Sequence, residues 1–134
     1  MIEKKYGIIG KPLSHSLSPL LHNFWFKKHN IKANYSLIEI DAIQIEEIID
    51  KIRRKKLQGI NVTTPHKQAV IPFLDSVIND AKKTSSVNTI YLNNENKIVG
   101  DNTDVYGFDY SFIKILKEKE SSRKNIMILG AGGV

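Results

Sequence analysis

The chain has 134 residues, of which 41% are hydrophobic and 25% charged, a composition typical of a globular protein and not of a disordered or fibrous chain. Its 20 basic and 14 acidic residues give a formal net charge of +6, which suits an anionic partner such as nucleic acid, an anionic lipid surface or a small acidic metabolite. The absence of cysteine excludes disulfides and thiolate nucleophiles, and no apolar run approaches the ~20 residues that a membrane helix needs.

The first half of the chain alternates predicted strands with predicted helices. Tyr6–Gly10 is a short apolar run closed by glycine, which predicts a buried strand entering a turn. Ser18 is placed as the N-cap of a helix, with proline following it at the first helical position. Residues 34–40 alternate in polarity and predict a strand. Isoleucines at i, i+3, i+4 and i+7 from Ile45 predict an amphipathic helix that Asp41 can cap.

The second half continues this alternation and adds a hairpin. We predict a short strand over 58–62 and a helix over 76–84. The pattern of 88–100, two apolar runs around a polar turn, indicates a β-hairpin. A helix over 105–116 and a last apolar strand over 125–129 complete the chain. Strands and helices in this order predict an α/β layer fold with a mixed sheet.

Three polar segments follow predicted strands, where ligands bind in open α/β sheets. Gly10–Pro19 contains three serines and a histidine, and its hydroxyls suit a hydroxylated or carboxylated ligand, although Ser18 could simply cap a helix. Lys67 follows the third predicted strand and is either an acid/base group or a solvated surface charge. Asp104 is either a helix N-cap, a role open to Thr103 as well, or a partner that keeps the Lys67 ammonium oriented and charged.

A glycine-rich segment follows the last predicted strand. Gly130-x-Gly132 resembles the opening of a dinucleotide-binding turn, in which glycine lets the backbone approach a pyrophosphate. A flexible glycine tail is the alternative. The basic run 51–56 is interpreted as a solvated helix end. The four histidines show no metal-ligand spacing, so no metal site is predicted.

In their order and spacing these segments resemble the shikimate dehydrogenases. The resemblance is carried by five segments, which together extend over essentially the whole chain: Gly10–Asn23, Gly59–Lys67, Val87–Thr89, Gly100–Asp104 and Gly130–Gly133. It implies a three-layer, mixed-sheet α/β substrate domain, followed by the first strand of an incomplete Rossmann domain. Two positions depart from the family pattern: Ser85–Ser86 replaces a glycine–alanine pair, and Val105 stands where glycine is common. Both changes are expected to alter the local backbone.

The resemblance also implies roles for individual side chains. Two serines would bind the substrate carboxylate, a threonine and an asparagine would hold its hydroxyls, and a lysine and an aspartate would form a catalytic pair that also contacts substrate. In the same order these residues are Ser16 and Ser18, Thr63 and Asn88, and Lys67 and Asp104. The glycine turn would cradle the pyrophosphate of NADP, and it consists of Gly130, Ala131, Gly132, Gly133 and Val134.

The domain organisation implied by the resemblance has three parts. Residues 1–116 would form a shikimate-binding domain, 117–124 a linker, and 125–134 the start of a C-terminally truncated NADP-binding domain. The implied activity is the NADPH-dependent reduction of 3-dehydroshikimate to shikimate in chorismate and aromatic amino acid biosynthesis, with the 134-residue chain inactive by itself.

Two alternatives remain open on the sequence. One is a non-catalytic substrate-binding module that needs a separate cofactor domain, and the other is a quinate/shikimate dehydrogenase. The expected partner is a small-molecule substrate, with neither nucleic acid nor membrane. The N-terminus has no secretory signal pattern, so we expect a cytoplasmic protein.

Overall fold

The computed structural model of the protein describes residues 3–118 together with Met127 and Leu129. The strands are β1 Lys4–Gly10, β2 Ala33–Glu39, β3 Gly59–Val62, β4 Ser76–Val77, β5 Thr89–Leu92 and β6 Ile98–Asp101. The helices are α1 Ser18–Lys28, α2 Ile45–Arg53, α3 Asn79–Thr84 and α4 Asp104–Glu118. Short 3-10 turns lie at Ala42–Gln44, next to Asp41 at their N-cap, and at Ile71–Phe73.

The six strands form one sheet in the order β2-β1-β3-β5-β6-β4. Strand β1 runs parallel to both β2 and β3, and β4 runs parallel to β6. Strand β5 is antiparallel to both of its neighbours, because the hairpin connects it directly to β6. The predicted mixed sheet is therefore confirmed.

One face of the sheet is covered by α2. The four isoleucines of the predicted stripe are all buried, and Ile45 and Ile52 are among the largest fully buried side chains. They pack in one cluster with sheet residues such as Ile9, Ile60 and Ile90. Burying an isoleucine side chain stabilises a fold by about 1.5–3 kcal/mol, so this layer contains the main core.

The opposite face is covered by α1 over β1 and β2. Ile8, Leu13 and Tyr35 are buried there, with Tyr6 and Phe26 packed against them. Helix α1 makes its contacts with β2 through this inner side, and the expected three-layer arrangement is confirmed.

The structure differs from the sequence-based expectations at three places. Ser18 is the first residue of α1 and not its N-cap, which is Leu17 and makes no side-chain cap hydrogen bond. The predicted helix over 76–84 begins as strand β4, which pairs with β6, and only α3 is helical. Helix α4 continues to Glu118, two residues into the predicted linker.

The predicted strand over 125–129 and the glycine turn Gly130–Val134 lie outside the described residues, apart from two positions. These are Met127 and Leu129, which are exposed and have no strand conformation. Within the described part of the chain, no helix combines the length and apolar character required to cross a lipid bilayer.

Candidate functional site

The loops that follow β1 and β3 meet at one edge of the sheet. Because the two strands are parallel, their carboxyl ends lie side by side. The backbone N–H of Thr63 donates to the carbonyl of Ile9 at 2.9 Å, and that of Lys11 donates to the carbonyl of Thr64 at 3.1 Å. The serine loop and the segment leading to Lys67 are thus joined directly through their backbones.

A hollow of about 230 Å³ opens at this edge. Its walls come from β1, the first turns of α1, the end of β3 with the following loop, the residue before β5, and the start of α4. The lining residues are Ile8, Ser18, His22, Asn61, Val62, Thr63, Lys67, Asn88 and Asp104. Five of the six predicted substrate residues therefore lie around one space.

Ser16 is the sixth predicted residue and does not belong to this lining. It is half-buried and lies next to Ser18, whose backbone N–H points toward the Ser16 Oγ at 3.4 Å. The structure therefore places Ser16 beside the hollow, in the loop that leads into α1.

Lys67 and Asp104 form an ion pair within the hollow. The Lys67 Nζ lies 2.8 Å from the Asp104 Oδ2, although the two residues are 37 positions apart. Their side chains keep 15% and 35% of their surface exposed, so a ligand in the hollow can reach both groups. The sequence left open whether Lys67 is a solvated surface charge, and the observed pairing and burial argue against that interpretation.

The capping of α4 explains why the Asp104 carboxylate is available for this pair. The Asn102 Oδ1 accepts the backbone N–H of Asp104 at 2.8 Å and that of Val105 at 3.2 Å. An amide oxygen that accepts the first helical N–H groups is the usual N-terminal cap. The sequence-based alternative, in which Asp104 or Thr103 caps the helix with its own side chain, is therefore wrong, and the cap is Asn102.

Asn88 connects β5 to the segment before α4. Its Oδ1 accepts the Thr103 N–H at 3.0 Å and the Thr89 hydroxyl at 2.9 Å, while its Nδ2 donates to the Thr103 Oγ1 at 2.9 Å. Only 7% of Asn88 is exposed. Within the described part of the chain its second Nδ2 hydrogen has no acceptor, and Asn88 lines the hollow, so this hydrogen can serve a ligand.

Three residues around the hollow had no assigned role on the sequence. The Tyr35 hydroxyl donates to the Asn61 Oδ1 at 2.7 Å, and the His22 ring stacks on the Tyr35 ring with centroids 4.2 Å apart. Asn61 follows Ile60 in β3 at the ligand end of the strand, which is a signal that sequence analysis could have used. The role of Tyr35 depends on strand pairing, and the sequence alternation indicates only the face on which it lies.

Metal binding has no support in the described part of the chain, where no group of three or more histidine or acidic side chains converges. The predicted cofactor-binding residues, Gly130 to Val134, lie outside the described residues.

Comparisons with known proteins agree on one family. A sequence profile described as "Shikimate dehydrogenase substrate binding domain" matches residues 8–90. The shikimate dehydrogenase (NADP(+)) of Pelagibacter ubique is 47% identical over 133 residues, which is 99% of this chain and 49% of that protein. The enzyme of the same name from Clostridium beijerinckii is 46% identical over 130 residues, covering 96% of this chain and 46% of that protein.

Solved structures give the same result. The shikimate dehydrogenase of Aquifex aeolicus superposes with a TM-score of 0.79 at 37% identity, over 87% of this chain and 45% of that one. The Thermus thermophilus enzyme in complex with NADP(H) and shikimate gives a TM-score of 0.75 at 29% identity, over 83% of this chain and 42% of that one. The chain spans about half the length of the curated relatives it matches. Since the family profile covers more than half of its residues, the chain belongs to the shikimate dehydrogenase family through its substrate-binding domain.

Proposed function

We propose that the chain forms the substrate-binding part of an NADP-dependent shikimate dehydrogenase, with residues 1–116 holding shikimate or 3-dehydroshikimate. The observation that carries this proposal is the Lys67–Asp104 ion pair of 2.8 Å in a hollow that also contains Ser18, Thr63 and Asn88. Hydroxyl and amide groups around one ammonium and one carboxylate suit a small ligand with several hydroxyls and an acidic group.

The ligand would be oriented by its carboxylate at one end of the hollow. Ser16 and Ser18 are adjacent at the start of α1, and their hydroxyls can donate hydrogen bonds to carboxylate oxygens. Thr63 and the free amide hydrogen of Asn88 would then hold ring hydroxyls. This arrangement directs the carbon that changes oxidation state toward Lys67 and Asp104.

The proposed reaction reduces a ring ketone to an alcohol. NADPH, when bound, supplies the hydride that the ketone carbon receives. Negative charge then develops on the ketone oxygen, and the Lys67 ammonium stabilises this charge and donates the proton that completes the hydroxyl. Asp104 holds the Lys67 Nζ in place. A positioned acid of this kind contributes about 10²–10⁴-fold to a rate.

The remaining residues are proposed to begin the cofactor-binding part. Residues 117–124 would serve as a linker, and 125–134 would supply the first strand and the glycine turn that contacts the NADP pyrophosphate. Because the chain spans about half the length of its curated relatives, we expect negligible dehydrogenase turnover from the 134-residue polypeptide alone.

Calorimetric titration with shikimate tests the binding site directly. We expect saturable binding to the wild-type chain and a loss of about tenfold or more in Lys67→Ala, since a hydrogen bond to a charged group contributes about 1.5–3 kcal/mol. Lys51→Ala is the matched control, because Lys51 pairs with Glu47 on the surface of α2. No binding by the wild-type chain, or equal affinity in Lys67→Ala, would contradict the proposal.

A second measurement separates a dehydrogenase part from a pure binding module. The chain is mixed with a separately produced cofactor-binding half of a relative, and NADPH oxidation is followed with 3-dehydroshikimate. Turnover that requires both parts supports the dehydrogenase, and tight binding without turnover in the mixture favours the module. NADPH-dependent turnover by the chain alone would show that the expected inactivity is wrong.

A further inference from the structure

The Tyr35 side chain lies behind the hollow and contacts two of its lining residues. Tyr35 is in β2 and is 96% buried, with 4% of its surface exposed. Its hydroxyl donates to the Asn61 Oδ1 at 2.7 Å, and the Ser18 side chain is hydrogen-bonded to the same phenol. One buried hydroxyl therefore connects the start of α1 with the end of β3.

The position of this hydroxyl is fixed by its surroundings. The Asn23 side chain accepts the Tyr35 N–H and donates to the Tyr35 carbonyl, both at 2.9 Å. The His22 ring stacks on the phenol ring at 4.2 Å with an interplanar angle of 9°. With its backbone and ring both held, Tyr35 is a rigid support for whatever bonds to its oxygen.

The direction of each hydrogen bond follows from donor and acceptor chemistry. The Asn61 Nδ2 donates to the Asn88 carbonyl at 3.2 Å and to the Thr89 Oγ1 at 3.3 Å. The other amide atom of Asn61 is an oxygen and can only accept, so the single phenolic proton of Tyr35 must go to it. The Tyr35 oxygen is then an acceptor toward Ser18.

The protonation state of Tyr35 keeps this order. Burial raises the pKa of Tyr35 to about 12, with the hydrogen bond from Ser18 acting in the opposite direction. The phenol therefore retains its proton at neutral pH and continues to donate to Asn61, while Ser18 stays attached to the phenol oxygen.

We propose that Tyr35 is a positioning residue for ligand recognition, which holds the Ser18 hydroxyl in the rotamer that faces the hollow. This inference rests on the proposed function, because it assumes that Ser18 contacts the ligand. Ser18 is only half-buried, and without the phenol its hydroxyl would exchange among the staggered rotamers. A ligand would then have to immobilise it, which lowers affinity by about three- to tenfold.

A double-mutant cycle on shikimate affinity tests this role. The chains compared by calorimetry are wild type, Tyr35→Phe, Ser18→Ala and the double variant. We expect Tyr35→Phe to weaken binding three- to tenfold in the wild-type background and to have no further effect in Ser18→Ala. Tyr6→Phe is the matched control, because Tyr6 packs against Phe26 on the same sheet face with ring centroids 5.5 Å apart, and its affinity should equal that of wild type.

Two outcomes of this cycle would overturn the proposal. One is unchanged affinity in Tyr35→Phe. The other is the same loss with and without the Ser18 hydroxyl, which indicates a structural effect of Tyr35 that does not act through Ser18.

The contact is also tested without any ligand, which separates this inference from the proposed function. If the wild-type chain does not bind shikimate, the proposed function fails, and the urea midpoints of the same four chains decide whether Tyr35 holds Ser18. A double variant that loses less than the sum of the single variants supports the contact, and strict additivity overturns it. Should Tyr35→Phe fail to fold, the Tyr35 ¹³Cζ resonance replaces it: Ser18→Ala must shift this resonance, and an unchanged resonance overturns the proposal.

Discussion

The side-chain amide of Asn102 donates to the backbone carbonyl of Ser86 at 2.8 Å. Since the Asn102 Oδ1 caps α4 at the same time, one buried side chain ties the segment before β5 to the start of α4. Asn88 and Asp104 belong to these two segments, so the geometry of the hollow depends on Asn102, which does not line it.

Replacing Asn102 by alanine should lower both stability and ligand affinity. The variant loses the α4 cap and leaves the buried Ser86 carbonyl without its donor, which together should reduce the free energy of unfolding by about 2–3 kcal/mol. Urea denaturation measures this loss. Asn102→Asp keeps an acceptor for the helix N–H groups but cannot donate to Ser86, and should lie between the two. A loss below about 0.5 kcal/mol in Asn102→Ala would contradict the assigned role.

Ser86→Ala should stabilise the protein. Ser86 is fully buried, and its Oγ has no hydrogen-bond partner within the described part of the chain. A buried hydroxyl without a partner costs about 1–3 kcal/mol, and alanine removes it with little change in volume. We expect the free energy of unfolding to rise by about 1 kcal/mol, measured by urea denaturation.

The control for this change is Thr84→Ala, which removes another hydroxyl nearby. The Thr84 Oγ1 donates to the Asp80 carbonyl at 2.8 Å, so its loss should give no gain in stability. Equal or lower stability of Ser86→Ala relative to wild type would show that the hydroxyl is satisfied in solution.

Local patterns predicted the elements whose stability is set within a short stretch of sequence. The isoleucine spacing of α2 and the hairpin of β5 and β6 are observed as expected. The expected backbone effect of the Ser85–Ser86 departure is visible at Ser85, whose φ of 51° lies in the left-handed region that favours glycine. Val105, the other departure, adopts ordinary helical structure in the first turn of α4.

What the sequence could not predict depends on contacts between distant segments. Strand β4 has two residues, and only its pairing with β6 makes it a strand. Ser18 was expected to cap α1 because serine is a good N-cap, but its side chain bonds to Tyr35 of β2. The proximity of Lys67 and Asp104 likewise requires the whole sheet to be assembled, and the family resemblance supplied that expectation where spacing alone did not.

His22 should make stability depend on pH below neutrality. Burial lowers the pKa of His22 from its usual 6.5, so the unfolded chain takes up a proton at this position at a higher pH than the folded chain does. The contribution of neutral His22 is complete above pH 6.5 and is lost as the pH falls through the lower folded pKa. NMR titration should give a ring midpoint below 6.5, and urea midpoints should fall between about pH 7.5 and 5.5.

His22→Gln should weaken this pH dependence. His29→Gln is the control, because His29 is exposed at the end of α1 and stacks on Trp25 with centroids 5.5 Å apart. A measured His22 midpoint at or above 6.5, or a pH dependence that is unchanged in His22→Gln, would show that burial does not govern this ring.

Gly10→Ala should separate the two loops that carry the hollow. A Cβ at Gly10 would clash with the Thr63 Cγ2 and would lie 2.9 Å from both the Leu13 Cδ2 and the Thr64 carbonyl oxygen. Two of these three neighbours belong to the loop after β3, so relief of the clash must move Thr63 or its backbone. Overpacking of this kind costs about 1–3 kcal/mol, and displacement of Thr63 should weaken shikimate binding as well. Gly107→Ala is the matched control, because a Cβ there meets nothing within 4 Å and alanine in a helix should raise stability by up to about 1 kcal/mol. Urea denaturation and calorimetry on the two variants should therefore change in opposite directions for stability, with affinity reduced only in Gly10→Ala. Wild-type affinity in Gly10→Ala would mean that Thr63 is not held in place by the close approach of the two loops.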